Sequence, residues 1–139
     1  MKALNNIRGA LDTRLLSSNL LPYCAMPNVA YNPDPDAPFI KVSFVPVLRR
    51  PAVRGLNPMQ RYDGLYTLLV CTPEKQGNGA GYEIAENLLE LFEATTDISF
   101  ENPPTNFTRV TIDFSEVSLS YSEPPFYCTP VTVGWYLYI

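Results

Sequence analysis

Apolar residues recur near the start of the chain at Leu4, Ile7, Leu11 and Leu15, joined by Ala3 and Ala10. That spacing lines one face of a helix, so a helix is predicted from Ala3 to Leu16, weakened slightly by Gly9. The period is then lost. Residues 21–38 contain Pro22, Pro27, Pro33, Pro35 and Pro38 and read as a loop longer than a connector needs, in which Met26, Val29 and Tyr31 can still pack. From Phe39 to Leu48 the pattern alternates, with Ile40, Val42 and Phe44 on one side. This is a strand, and Pro46 places it at a sheet edge or near its own end. Residues 49–60, RRPAVRGLNPMQ, contain Pro51, Gly55 and Pro58 and read as the irregular tip of a long arm between two strands.

Leu65 to Cys71 is a short apolar run without helical period and reads as a buried strand ended by Pro73. Gly77, Gly79 and Gly81 give a bend, with Asn78 as N-cap of a second helix. Its apolar stripe is Ala80, Ile84, Leu88 and Leu91, widened by Ala85 and Phe92. Another polar loop, residues 94–107, precedes a strand from Arg109 to Tyr121. In that strand Val110, Ile112 and Phe114 share one parity, while Val117, Leu119 and Tyr121 share the other. A bulge near Ser115-Glu116 would bring both sets to one face. After the turn Ser122–Pro125, the last strand runs from Tyr127 to Ile139, with Val131, Val133, Trp135, Leu137 and Ile139 on one side. The expected fold is α+β. One mostly antiparallel sheet of four strands, or slightly more, carries the N-terminal and central helices, with the arm between its first two strands. One domain over residues 1–139 is expected.

Composition narrows the chemistry. The 139 residues include no histidine, and three cysteines, Cys24, Cys71 and Cys128, with no C-x-x-C pair. Zinc sites of the usual kinds and histidine-based triads are therefore not expected, and Cys71 and Cys128 read as small buried side chains. The glycine-rich bend lacks the Lys-Ser/Thr of a phosphate loop and the spacing of a dinucleotide fingerprint, so it reads as a turn. No cofactor, metal or catalytic residue is expected. No apolar stretch approaches a membrane span, and the N-terminal pattern is interrupted by Arg8, Asp12 and Arg14, unlike a signal peptide. A small enzyme using paired carboxylates is the rival from another class, but no two of the fourteen acids form an evident motif.

Net charge is −4, and it is segregated. Residues 37–62 have no acid but carry Lys41, Arg49, Arg50, Arg54 and Arg61, whereas residues 76–108 have no base and carry Glu83, Glu86, Glu90 and Glu93 on one helix face, with Asp97 and Glu101 beyond. The bland reading is two solvated faces. The sharper one is a pair of complementary surfaces, Arg49, Arg50, Arg54 and Arg61 against Glu83, Glu86, Glu90 and Glu93, joining subunits or reaching a tube protein.

The stretches MPNVAYNP (26–33), FIKVSFVP (39–46), RYDGLYTLLVCTPEKQGNGAGYEIAENLLELF (61–92) and FYCTPVTVGWYLYI (126–139) occur in this order. Together they resemble the tail terminator, or tail completion, proteins of long-tailed bacteriophages. The resemblance implies a structural protein with no catalytic residues. It would form a ring, usually six-fold, that caps the tail tube, stops its polymerisation and meets the head-tail connector. It would sit at the head-proximal end of the virion tail and assemble in the host cytoplasm. Genome DNA would pass through the ring without specific binding, as the negative net charge favours. The alternatives are a head-completion or neck protein and a small monomeric binding module.

Overall fold

The computed structural model describes residues 3–19, 21–52, 55, 59–74, 79–101 and 107–138. The elements in order are α1 (Ala3–Leu16), β1 (Tyr23–Ala25), β2 (Phe39–Pro51), β3 (Gln60–Pro73), α2 (Gly79–Leu91), β4 (Asp97–Glu101), β5 (Phe107–Val117), β6 (Tyr121–Glu123) and β7 (Phe126–Tyr138). The sheet has seven strands in the order β1-β2-β3-β7-β5-β4, with β6 also paired to β7. The joint between β1 and β2 is parallel and the others are antiparallel.

Both helices lie on one face, α1 over β4 and β5 and α2 over β7, β3 and β5. Period-two alternation decides what meets them. On β3, Gly64, Tyr66, Leu68 and Val70 are buried and the residues between them are half-exposed. Their partners on β7 are Trp135, Val133, Val131 and Thr129. From α1 come Ile7, Ala10, Leu11 and Leu15, and from α2 come Ala85 and Leu88, with Phe92 just beyond its end. Two polar contacts tie the layers: the Tyr66 hydroxyl donates to Asp12 Oδ1 at 2.5 Å, and Arg14 Nε donates to the Leu91 carbonyl at 3.2 Å. The latter satisfies an open carbonyl in the last turn of α2. Gly81 lets α2 approach β7, because a Cβ there would lie 3.1 Å from Thr129 Oγ1.

The structure corrects several expectations. The sheet is larger than four strands because β1 and β4 form inside segments expected to be loops, and β6 occupies the expected turn. Strands of three to five residues carry too little period to be read. The arm is not irregular from Arg49: the ladder continues to Pro51↔Gln60. Its tip at residues 53, 54 and 56–58 lies outside the described residues, as do Asn78, Gly77 and Ile139. The bulge in β5 falls between Ile112 and Phe114, earlier than expected. It turns Phe114 to the face without helices, where its ring covers Gly134. Leu119 and Tyr121 stay exposed and do not join the core. Leu4, expected in the apolar stripe of α1, is 45% exposed, and Ala80, expected in that of α2, is exposed too.

Candidate functional site

The two charged surfaces read from the sequence are built differently. The base of the arm is a β-ribbon in which Arg50 faces Arg61 and Leu48 faces Asp63 across β2 and β3. Arg61 and Asp63 are two apart on a strand, so both project from one face. Arg61 Nε lies 2.7 Å from Asp63 Oδ1, and Arg50 lies 3.8 Å from Asp63 Oδ2. One carboxylate therefore holds both arginines. Arg61 also donates to the Tyr138 hydroxyl at 2.8 Å and sits 4.6 Å from the Tyr136 ring centre. The hydrogen bonds to Asp63 and Tyr138 hold its guanidinium more firmly in the charged form. Arg49 lies over Tyr62 at 5.5 Å and forms no ion pair among the described residues. Arg54 is outside the described residues.

The acidic surface is regular. Glu83, Glu86, Glu90 and Glu93 are all exposed, on or just beyond α2, whose inner side is Gly81, Ala85 and Leu88. None of the four has an ion-pair partner among the described residues. Among the described residues, no ion pair joins the basic set to the acidic set. The arm extends past Gly64, whereas the end of α2 is fixed at mid-strand, where Phe92 meets Tyr66 ring to ring at 5.9 Å.

The face without helices carries a second, smaller cluster, Phe39, Cys71, Phe126 and Cys128, with Tyr31 folded over it. The Cys71 and Cys128 sulfurs are 3.4 Å apart on directly paired residues, and both are free thiols. Burial is the main cause that pushes both thiols above the ordinary cysteine range, which makes them poor nucleophiles. Among the described residues no three histidine, cysteine or acidic side chains gather as metal ligands would. A cavity of about 330 Å³ opens beneath the proline-rich segment, lined by Met26, Val29, Tyr31, Phe39 and Lys41 among others. No described helix is long and apolar enough to cross a membrane.

Reading the sequence by blocks of like charge missed Asp63. It lies just past the acid-free stretch and converts two of the arm's cations into internal contacts. The signal was the Arg-x-Asp spacing at residues 61–63.

A family model described as phage tail terminator protein matches residues 6–135. No curated protein matches the chain. Among solved structures, nine chains match, and one of them superposes with a TM-score of 0.73 at 16% identity, covering 97% of this chain and 95% of its own. At that identity the likeness is one of fold.

Proposed function

The chain belongs to the phage tail terminator family, and from that membership we propose that it forms a ring, six-fold as the family resemblance implies, on the end of the tail tube. The ring ends tube polymerisation and offers its other side to the head-tail connector. A closed ring larger than a dimer requires two different complementary patches on each subunit. The observation that carries the reading is that the β2–β3 ladder runs on past Gly64 to Pro51↔Gln60, while the exposed Glu83, Glu86, Glu90 and Glu93 have no ion-pair partner among the described residues. The arm of one subunit then crosses to Glu83, Glu86, Glu90 and Glu93 of its neighbour. Arg49 and Arg54 make the contact, while Arg50 and Arg61, held by Asp63, stiffen the arm. Genome DNA passes the lumen without specific binding, because each strong phosphate contact needs a lysine or arginine and the chain is net negative.

Exposed ion pairs contribute only about 0–1 kcal/mol each, so the test changes charges in pairs. Arg49→Glu with Arg54→Glu should lower the mass seen by light scattering, and Glu86→Arg with Glu90→Arg in the same chain should raise it again. Loss without recovery, with both variants folded, would remove the helix as the arm's target. Co-sedimentation with isolated tail tubes against isolated heads separates a terminator from a neck protein.

A further inference from the structure

The sulfurs of Cys71 and Cys128 lie 3.4 Å apart on residues 57 positions apart in the chain. Both are free thiols, 3% and 1% exposed, and the proposed assembly role makes no use of them. Cys24, the third cysteine, packs with the core under the helices, on the other side of the sheet. Side chains of directly opposed residues share a face, so one row runs Phe39, Cys71, Cys128, Tyr121 across β2, β3, β7 and β6.

The ladder fixes what kind of pair this is. Antiparallel strands alternate between pairs that exchange backbone hydrogen bonds and pairs that do not, and in the second kind the Cα atoms are only about 4.5 Å apart. Two contacts set the phase. The Glu74 N–H donates to the Pro125 carbonyl at 3.0 Å, one step beyond Pro73↔Phe126, so Glu74 and Thr72 turn their polar groups to β7 and Cys71 turns its own away. On β7 the Pro130 carbonyl accepts from the Ser118 N–H at 2.9 Å, on the side away from β3, and Cys128, two residues earlier, turns the same way. Cys71↔Cys128 is therefore a pair of the close kind. Its Cα spacing falls within the roughly 4.4–6.8 Å that a disulfide spans. The cover over the thiols is thin. Tyr31, from the proline-rich segment, lies 5.4 Å from Phe39, Phe39 meets Phe126 edge to face at 5.1 Å, and β6 is three exposed residues. Cys128 Sγ lies 3.9 Å from Glu123 Oε2 on β6, an exposed acceptor for a departing proton.

We propose that Cys71 and Cys128 are a redox-active pair, which a two-electron oxidant closes into a disulfide stapling β3 to β7 within the folded chain. One thiol loses its proton, and the thiolate adds to the oxidant. The second thiolate then attacks the first sulfur, which forms the S–S bond and expels the reduced oxidant. Each sulfur gives up one electron, the oxidant takes both, and two protons pass to it or to water. Burial holds both thiols protonated, so the reaction waits on a local opening of the cover and is slow. Disulfides are rare in a reducing cytosol and persist at virion surfaces. A tail protein made in the first and carried to the second would assemble with the pair open and hold it closed afterwards. Closing a loop of this length restricts the unfolded chain, so the oxidised form is the more stable. The inference does not rest on the ring, since a monomer would carry the same pair.

The probe is diamide, an azo compound that takes up the two electrons and two protons as its hydrazine. Treated with it under native conditions, the full chain should lose two hydrogens in intact mass and form no covalent dimer on non-reducing denaturing gels. Digestion should yield a peptide linked through Cys71 and Cys128, with Cys24 still open to alkylation after unfolding. The urea midpoint should rise by roughly 1–2 M and return with dithiothreitol. Cys24→Ser should behave as the wild type does, and Cys71→Ala should lose neither hydrogen. If Cys71→Ala fails to fold, the linked peptide of the wild-type chain decides. Both thiols still open to alkylation after prolonged diamide treatment, a bridge through Cys24, or a disulfide that leaves the midpoint unchanged or lowers it would overturn the proposal.

Discussion

An alanine at Gly64 would place its Cβ 2.3 Å from Trp135 Cζ2 and 2.6 Å from the Val45 carbonyl oxygen. An alanine at Gly134 would place it 2.1 Å from Phe114 Cε1. The clashes look alike, yet the outcomes should differ, because the displaced rings differ in freedom. Trp135 is 2% exposed and stacked on Phe44 at 5.4 Å with the planes 6° apart, and the Val45 oxygen is backbone. Nothing near Gly64 can yield cheaply. Phe114 is 38% exposed and can swing into solvent. Overpacking a core costs about 1–3 kcal/mol. Replacing a strand glycine by alanine returns about 0.5–1 kcal/mol of backbone entropy and propensity. Gly64→Ala should therefore lose about 1–2 kcal/mol net, and Gly134→Ala should stay within about 0.5 kcal/mol of wild type. With a urea slope of about 2 kcal/mol/M, Gly64→Ala lowers the unfolding midpoint by roughly 0.5–1 M. Trp135 is the only tryptophan, so its emission follows unfolding and reports the native ring environment as well. A native spectrum shifted in Gly64→Ala and unchanged in Gly134→Ala is expected. Equal midpoint losses in the two variants would refute the argument, since it rests on the difference between a clamped ring and a free one.

Leu11→Ala removes a fully buried side chain of α1 and should cost about 2–5 kcal/mol in a urea melt. Unchanged melting with lost assembly would instead make α1 an interface element. Alkaline pH should destabilise the fold. Burial first, and Asp12 next, push the Cys24 thiol up to about 11, and burial also raises Cys71, Cys128 and Tyr66. A folded value above the unfolded one gives a contribution complete below the ordinary thiol range and lost as pH climbs through about 11. The melting temperature should fall over that interval, and Cys24→Ser should make the fall shallower. An identical profile in Cys24→Ser would remove this thiol from the account.

Local pattern alone determined the long elements. The Ile7, Leu11 and Leu15 stripe of α1, the Ala85 and Leu88 face of α2, and the alternating Val131, Val133, Trp135 and Leu137 of β7 are buried as their spacing requires. One buried side repeated along ten or more residues admits one period and one orientation. The segregated charges and the absence of histidine were equally legible, since they are properties of composition. What only the tertiary structure decided is whatever depends on a partner distant in sequence. Tyr23–Ala25 has no period of its own and becomes a strand because the start of β2 offers it hydrogen bonds. Asp97–Glu101 becomes one because β5 does the same. The turn of Phe114 away from the core follows from a bulge whose position depends on the register between β5 and β7. Asp63 neutralises Arg50 only because β2 returns beside β3. The strand order, with β4 last among the described strands and β1 beside only the start of β2, has no mark in the sequence, because it is set by the whole sheet.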